Sequence, residues 1–309
     1  MRKTLTVVAV LAVLAVIGVG VTQFLESQDG IDGGTGGGQP GESDTAAPPA
    51  QPDWCPRVEV ISAPGTWESA ADDDPLNPTA NPHSFMLSVS NPLKEAYAPE
   101  DVKVWTLPYT AQFKNINAQQ EMSYDDSRNE GTARLETELR DTHASCPATQ
   151  FLLTGFSQGA VIVGDVADKI GGGTGAIPAE NVAGVAIVAD GRRENGVGIN
   201  PGFDLGGVGA EIALQPVSGL VQGIVPGATM RGPREFGFGS LADRTYQICA
   251  PNDSICDAPR DALNGLDRAR GLIEANGVHA MYASNTGVIA DTTANQWLVD
   301  WARQKIDQI

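Results

Sequence analysis

The run Gly155-Phe156-Ser157-Gln158-Gly159 sets a serine between two glycines, each two residues away. That is the spacing of a nucleophile elbow, in which a sharp strand-to-helix turn presents a serine hydroxyl to an acyl carbon. The glycines have a steric reason, because a side chain at either position would meet the neighbouring strand or helix. A helix starting after Ser157 points its positive end at the serine oxygen and favours negative charge developing there. A serine nucleophile also needs a base and an acid that orients the base. The histidines are His83, His143 and His279. His83 lies in a proline-rich early loop. His143 falls at the end of the sheet opposite the nucleophile. His279 follows the last predicted strand, and the chain order serine, acid, histidine selects it as the base. The acid is read as Asp253, inside Cys249-Ala250-Pro251-Asn252-Asp253-Ser254-Ile255-Cys256, because a short cross-linked loop after a strand holds a carboxylate rigidly. The rivals are Asp190 and Asp257, each read first as a turn or capping residue. The chemistry of this set is acyl transfer through a serine ester, with no metal or organic cofactor required.

The elements around these residues follow from apolar patterning. Residues 151–154 are a short buried strand, and Ala160, Val161, Val163, Val166, Ala167 and Ile170 give the next helix one apolar face. Further strands are predicted at 58–61, 102–107, 182–188 and 244–249. Helices are predicted at 84–96, at 129–144 with Leu135 and Leu139 on one face, and at 293–305 with Trp297, Leu298 and Trp301 packing on the core. Alternating strands and helices imply an α/β fold, a parallel sheet with helices on both faces. Residues 195–240 break the pattern. They are rich in glycine, with Pro201, Pro216, Pro226 and Pro233, and read either as a flap beside the site or as a surface excursion.

The ends of the chain carry other information. Residues 1–26 begin with the basic Arg2 and Lys3 and continue in a charge-free apolar run from Thr4 to Val21. They read as a membrane anchor, with a cleaved signal segment as the alternative, and the basic start places the remainder outside the cytoplasm. Residues 27–53 read as a disordered Gly/Pro-rich linker and 54–309 as a single catalytic domain. A net charge of −18 argues against a nucleic-acid partner, which calls for clustered lysine and arginine. Cys55, Cys146, Cys249 and Cys256 form an even set, as disulfides in an exported protein require, and allow three pairings. Cys249 and Cys256 are near enough to close a small loop. Cys55 and Cys146 each precede a strand, and neighbouring parallel strands start at the same end of a sheet, which favours Cys55–Cys146 with Cys249–Cys256. Metal binding is the rival reading, weakened because no histidine lies at ligand spacing from a cysteine.

Taken together, Gly155-Phe156-Ser157-Gln158-Gly159-Ala160, then Cys249, Asp253 and Cys256, then His279, resemble the cutinase family of serine esterases. Phe156 stands where the family pattern has tyrosine and Asn252 where it has glycine. Pro64-Gly65-Thr66-Trp67-Glu68-Ser69, Pro108-Tyr109-Thr110, Ser123-Tyr124-Asp125-Asp126-Ser127-Arg128 and Ala189-Asp190-Gly191-Arg192-Arg193 are similar to the membrane-anchored cutinase-like carboxylesterases of mycolic-acid-producing actinobacteria. The resemblance implies an α/β-hydrolase-like three-layer sandwich. It implies an oxyanion hole from the amides of Thr66 and Gln158, and phospholipase A and thioesterase activity on lipid or long-chain acyl substrates in the cell envelope. The expected form is a monomer. Two other readings share the same residues: an envelope acyltransferase in which an alcohol replaces water, and a non-catalytic envelope-binding protein, which the intact serine, aspartate and histidine disfavour.

Overall fold

The computed structural model describes residues 51–260 and 277–309. The anchor read at 1–26, and all but the last three residues of the linker read at 27–53, lie outside the described residues. No helix among the described residues is long and apolar enough to cross a membrane. The apolar runs form five strands, β1 (Val58–Ala63), β2 (Val102–Thr106), β3 (Gln150–Phe156), β4 (Val182–Val188) and β5 (Thr245–Ile248). All neighbouring pairs are parallel, in the spatial order β2-β1-β3-β4-β5. The described helices are α1 (Leu87–Ala96), α2 (Tyr124–Ser145), α3 (Gln158–Gly171), α4 (Ala210–Ala213), α5 (Ser218–Ile224) and α6 (Ala294–Ile306).

Side chains alternate across the sheet as the strand period requires. Val58, Val60, Val102, Val104 and Leu152 face α1 and α6, where they meet Val89, Leu93, Leu298 and Trp301. Ile61, Trp105, Phe151 and Leu153 face α2 and α3, where they meet Leu135, Leu139, Ile162 and Val166. The result is three layers with strands buried on both faces, the reason β3 and β4 read as continuous apolar runs. The order of strands reverses direction between β1 and β3, and in open α/β sheets that switch point leaves a crevice at the strands' C-terminal ends.

Two helix boundaries differ from the periodic pattern. α2 starts at Tyr124 rather than 129, because Ser123 caps it. The Ser123 hydroxyl accepts the Asp126 N–H at 3.1 Å, and Asp125 and Asp126 sit in the first turn, where negative charge is favoured. α1 starts at Leu87, so Ser84 and Phe85 stay outside the helix and direct their donors elsewhere. α3 has more than one buried face: Asp165 and Asp168 on its outer side are buried as well as the apolar residues. Residues 195–240 cover that side and are tied to it. Asp168 Oδ1 accepts the Phe238 N–H at 2.9 Å, and the Arg234 guanidinium lies where a Cβ on Gly164 would sit, 2.2 Å from Nη2. The segment also closes over the start of α2, where Asp125 accepts the Thr229 N–H and hydroxyl.

Candidate active site

β3 delivers the serine. Ser157 stands between β3 and α3 with φ of 54° and ψ of −117°, a strained conformation for a residue with a side chain. A Cβ on Gly159 would come within 2.1 Å of the Ala63 carbonyl oxygen, so only glycine lets α3 start this close to β1. The Ser157 Oγ lies 3.0 Å from His279 Nε2, and His279 Nδ1 lies 2.9 Å from Asp253 Oδ2. The three side chains form one hydrogen-bonded line in which the carboxylate fixes the imidazole and leaves Nε2 toward the hydroxyl. The imidazole is wedged against Phe156, with ring centroids 5.2 Å apart and stacked.

The acid sits in a built loop. Cys249 and Cys256 are bonded, with Cα atoms 5.9 Å apart, and Asp253 between them is fully buried. Its Oδ1 accepts the Ile255 N–H at 2.9 Å, and its Oδ2 accepts the Tyr282 hydroxyl at 2.7 Å. Tyr282 in turn accepts the Ala250 N–H at 2.9 Å. Burial and the neighbouring carboxylate push the Tyr282 phenol well above its ordinary range, so it remains a donor. Asn252 adopts φ of 63°, a left-handed conformation that glycine enters freely and asparagine tolerates better than most residues. Arg193, itself buried, donates to the Cys256 carbonyl at 2.7 Å and the Gly207 carbonyl at 2.6 Å, pinning the loop to the 195–240 segment. The other two carboxylates are engaged elsewhere. Asp190 pairs with Arg234 at 2.6 Å, and Asp257 accepts the N–H groups of Gly207 and Asn252. The second disulfide, Cys55–Cys146, lies at the opposite end of the sheet, where β1 and β3 begin, with Cα atoms 5.6 Å apart.

The other side of Ser157 is the turn after β1. The Gln158 N–H is the first of α3 and has no carbonyl a turn above it to bond. In the Gly65–Glu68 turn three N–H groups are used: Gly65 donates to Glu68 Oε2 at 2.9 Å, Trp67 to the Ala111 carbonyl at 2.6 Å and Glu68 to the Gly65 carbonyl at 3.1 Å. The Thr66 N–H has no acceptor among the described residues. Thr66 and Gln158 therefore bring to the cleft beside Ser157 two amides that have no acceptor among the described residues. The Gln158 side chain is held by Ser127 at 3.0 Å and by the Gln112 carbonyl at 3.3 Å. Glu68 also accepts the Phe85 N–H at 2.7 Å and the Ser84 hydroxyl at 3.1 Å. Burial pushes its carboxyl above the usual range, against the pull of these donors and of nearby His279.

Ser157 and His279 open onto a cleft of about 480 Å³ lined by Trp67, Phe85, Phe113, Phe156, Val161, Met230 and Ile255 among others. The lining is mainly aromatic and aliphatic, with Ser157, His279, Asn81 and Glu211 among its polar groups. His83, read from the sequence as a loop residue, also lines it.

The sequence model of the family described as Cutinase matches residues 54–293. The chain belongs to the cutinase family. As a member of that family it is a carboxylic-ester hydrolase. This cutinase is 64% identical over 307 residues to the Carboxylesterase Culp6 homolog of Corynebacterium glutamicum, with 99% of each chain covered. Among solved structures it is similar to the catalytic core domain of acetyl xylan esterase from Trichoderma reesei, at 18% identity and a TM-score of 0.49, over 82% of this chain and 98% of that one. It is also similar to a cutinase-like protein from Cryptococcus sp., at 20% identity and a TM-score of 0.48, over 83% and 98%.

Several residues around this cutinase's cleft escape a reading of the sequence. Tyr282, Glu68 and Arg193 each carry ordinary residue types in loops, and nothing local marks their partners. A larger omission is the ionic cluster behind the cleft. Asp165 on α3 meets Arg192 at 2.8 Å, Arg231 at 2.5 Å and Arg234 at 3.0 Å, while Glu211 takes Arg231 at 2.8 Å and the Tyr124 hydroxyl at 2.7 Å. Burial pushes the Asp165 carboxyl up, but the three guanidiniums outweigh it and hold it at about 2. The available signal was the placing of Arg231 and Arg234 in a stretch otherwise rich in glycine and proline.

Proposed function

We propose that this esterase cleaves lipid or long-chain acyl esters and thioesters, as a phospholipase A or thioesterase would, outside the cytoplasm. The observation that carries the reading is the hydrogen-bonded line Asp253–His279–Ser157 ending at an apolar cleft. Ser157 Oγ attacks the carbonyl carbon as His279 Nε2 takes its proton. The oxyanion forms between the N–H groups of Thr66 and Gln158, each such donor contributing on the order of 3 kcal/mol to lowering the barrier. His279 returns the proton to the leaving oxygen or sulfur. Asp253 holds the imidazole tautomer and stabilises its charged form. Water, activated by the same histidine, then releases the acyl group. The aromatic and aliphatic lining supports an acyl chain as the bound portion. Two disulfides support folding in an oxidising compartment. The apolar run near the N-terminus supports tethering of a monomeric domain to the membrane of the cell envelope.

The test offers purified protein p-nitrophenyl esters of increasing chain length, a phosphatidylcholine and an acyl thioester, each with and without an alcohol acceptor. Release of free fatty acid from the long-chain substrates, absent in Ser157→Ala, is the expected result. Acyl transfer to the alcohol in place of hydrolysis would assign the second reading of the acyl-enzyme. Full activity in Ser157→Ala would remove the mechanism altogether.

A further inference from the structure

Glu68 has no role in the proton-transfer line, yet its carboxylate collects donors from two separate segments. Oε2 accepts the Gly65 N–H at 2.9 Å and the Ser84 hydroxyl at 3.1 Å, and Oε1 accepts the Phe85 N–H at 2.7 Å. Its own N–H closes the turn onto the Gly65 carbonyl at 3.1 Å. Glu68 therefore grips both polar groups of Gly65. This matters for the next peptide plane. The Gly65–Thr66 bond is trans and planar, so the Thr66 N–H points opposite to the Gly65 carbonyl. The Glu68 backbone N–H holds that carbonyl and so aims the Thr66 N–H, and the Glu68 carboxylate, anchored to Ser84 and Phe85, decides where that backbone N–H stands.

The turn needs such a restraint. Residue 65 must be glycine, because a Cβ there would approach Phe156 Cδ1 to 2.9 Å, and glycine leaves the adjoining peptide free to rotate. Trp67, the third residue of the turn, adopts φ of 62°, which a side-chain-bearing residue keeps only when its surroundings impose it. The acceptor must also be a carboxylate. All three groups facing it donate, and the two carboxylate oxygens accept all of them, whereas an amide would turn an NH₂ toward one of them.

We propose that Glu68 is a positioning residue for ester hydrolysis: its carboxylate, bonded to the Gly65 N–H, Ser84 and Phe85, fixes where Glu68 stands, so that its backbone N–H holds the Gly65 carbonyl and the Thr66 N–H faces the oxyanion. The inference rests on the reading of Ser157 and Thr66 given above.

The experiment compares Glu68→Gln, Glu68→Ala, Thr66→Pro, the double variant Thr66→Pro/Glu68→Gln and Ser157→Ala in the full chain. Thr66→Pro deletes the N–H itself at a turn position that accommodates proline. Turnover of p-nitrophenyl butyrate is normalised to the folded, reactive fraction by burst titration, and inactivation by a p-nitrophenyl phosphonate is followed in parallel. Melting temperatures are recorded for every variant. Glu68→Gln and Glu68→Ala are expected to lose about 100-fold in kcat with KM changed less than about twofold, and to be phosphonylated more slowly in the same proportion. The double variant should be no slower than Thr66→Pro alone, because a peptide without its N–H gains nothing from being aimed. A Glu68→Gln enzyme with normal kcat per folded molecule, or losses that multiply in the double variant, would overturn the proposal. A purely structural role would lower the melting temperature and the folded fraction and leave normalised kcat unchanged, which also overturns it. Full activity of Thr66→Pro would remove the oxyanion assignment beneath it, and full activity of Ser157→Ala the nucleophile, so each failure has its own signature.

Discussion

Asp253 Oδ2 receives two donors, the His279 ring at 2.9 Å and the Tyr282 hydroxyl at 2.7 Å, in a site closed to water. Tyr282 thus sets where the carboxylate can stand, and the Ala250 N–H that it accepts ties it to the start of the acid loop. Tyr282→Phe leaves that N–H without a partner and the carboxylate with one donor fewer on Oδ2. An unsatisfied buried donor costs about 1–3 kcal/mol, so the variant should melt several degrees lower. Turnover should fall roughly tenfold, equivalent to about 1.4 kcal/mol of barrier, far less than for His279→Ala, which removes the proposed base. Steady-state kinetics beside thermal melts test this. A Tyr282→Phe enzyme with unchanged kcat and a lowered melting temperature would make the tyrosine a packing residue only.

The two disulfides belong to different elements and should act differently. Cys249–Cys256 closes a loop of sequence separation 7, and Cys55–Cys146 one of separation 91. By the chain-entropy estimate the first contributes on the order of 2–3 kcal/mol and the second on the order of 4–5 kcal/mol. The chemistry runs the other way, because the small loop carries Asp253 while Cys55–Cys146 joins the far ends of β1 and β3. Cys249→Ala/Cys256→Ala should therefore lower turnover strongly in a domain that stays folded at room temperature. Cys55→Ala/Cys146→Ala should lower the melting temperature more and the turnover of the folded fraction less. Near wild-type turnover in the small-loop variant would mean that the hydrogen bonds of Arg193, Tyr282 and Ile255 hold Asp253 without the covalent link.

At the scale of the whole molecule, two buried acids give stability opposite dependences on pH. Asp165, held at about 2 by three guanidiniums against an ordinary 3.8, contributes stability that is present above pH 3.8 and is lost as pH falls through about 2. Glu59 lies at the far end of the sheet, in register with Lys103 across β1 and β2. Burial pushes its carboxyl from 4.5 up to about 8, although Lys103 Nζ lies 3.0 Å away, because Lys103 also pairs with Glu138 on α2. A raised pKa favours the protonated form in the fold. Its contribution is complete below 4.5 and is lost as pH rises to about 8. Melting temperatures of Glu59→Gln should therefore exceed those of the wild type by a margin that widens from pH 5 to pH 8 and then levels. A constant offset across that range would show that Glu59 is already ionised in the fold.

Much of this was written locally in the chain. The glycines two residues either side of Ser157, with an apolar run before and a helical pattern after, dictate strand, turn and helix within some twenty residues. Side-chain sterics act over that distance, so the elbow needs no tertiary information. Alternation of strands and helices implied the parallel α/β sheet for the same reason. Local pattern misplaced the start of α2, because a serine cap and two aspartates carry no apolar period. It also gave α3 one buried face, because Asp165 and Asp168 become interior only when residues 195–240 fold over them. Three carboxylates, Asp190, Asp253 and Asp257, stand in comparable turns, and only the packed molecule shows which meets His279 and which meet arginine or backbone. The grip of Glu68 on Gly65, Ser84 and Phe85 and of Tyr282 on Asp253, and the meeting of Arg231 and Arg234 with Asp165, join residues from 3 to 69 positions apart. Most of these contacts depend on where distant segments come to rest on the sheet, and a hydrogen bond leaves no periodic trace in the sequence of either partner.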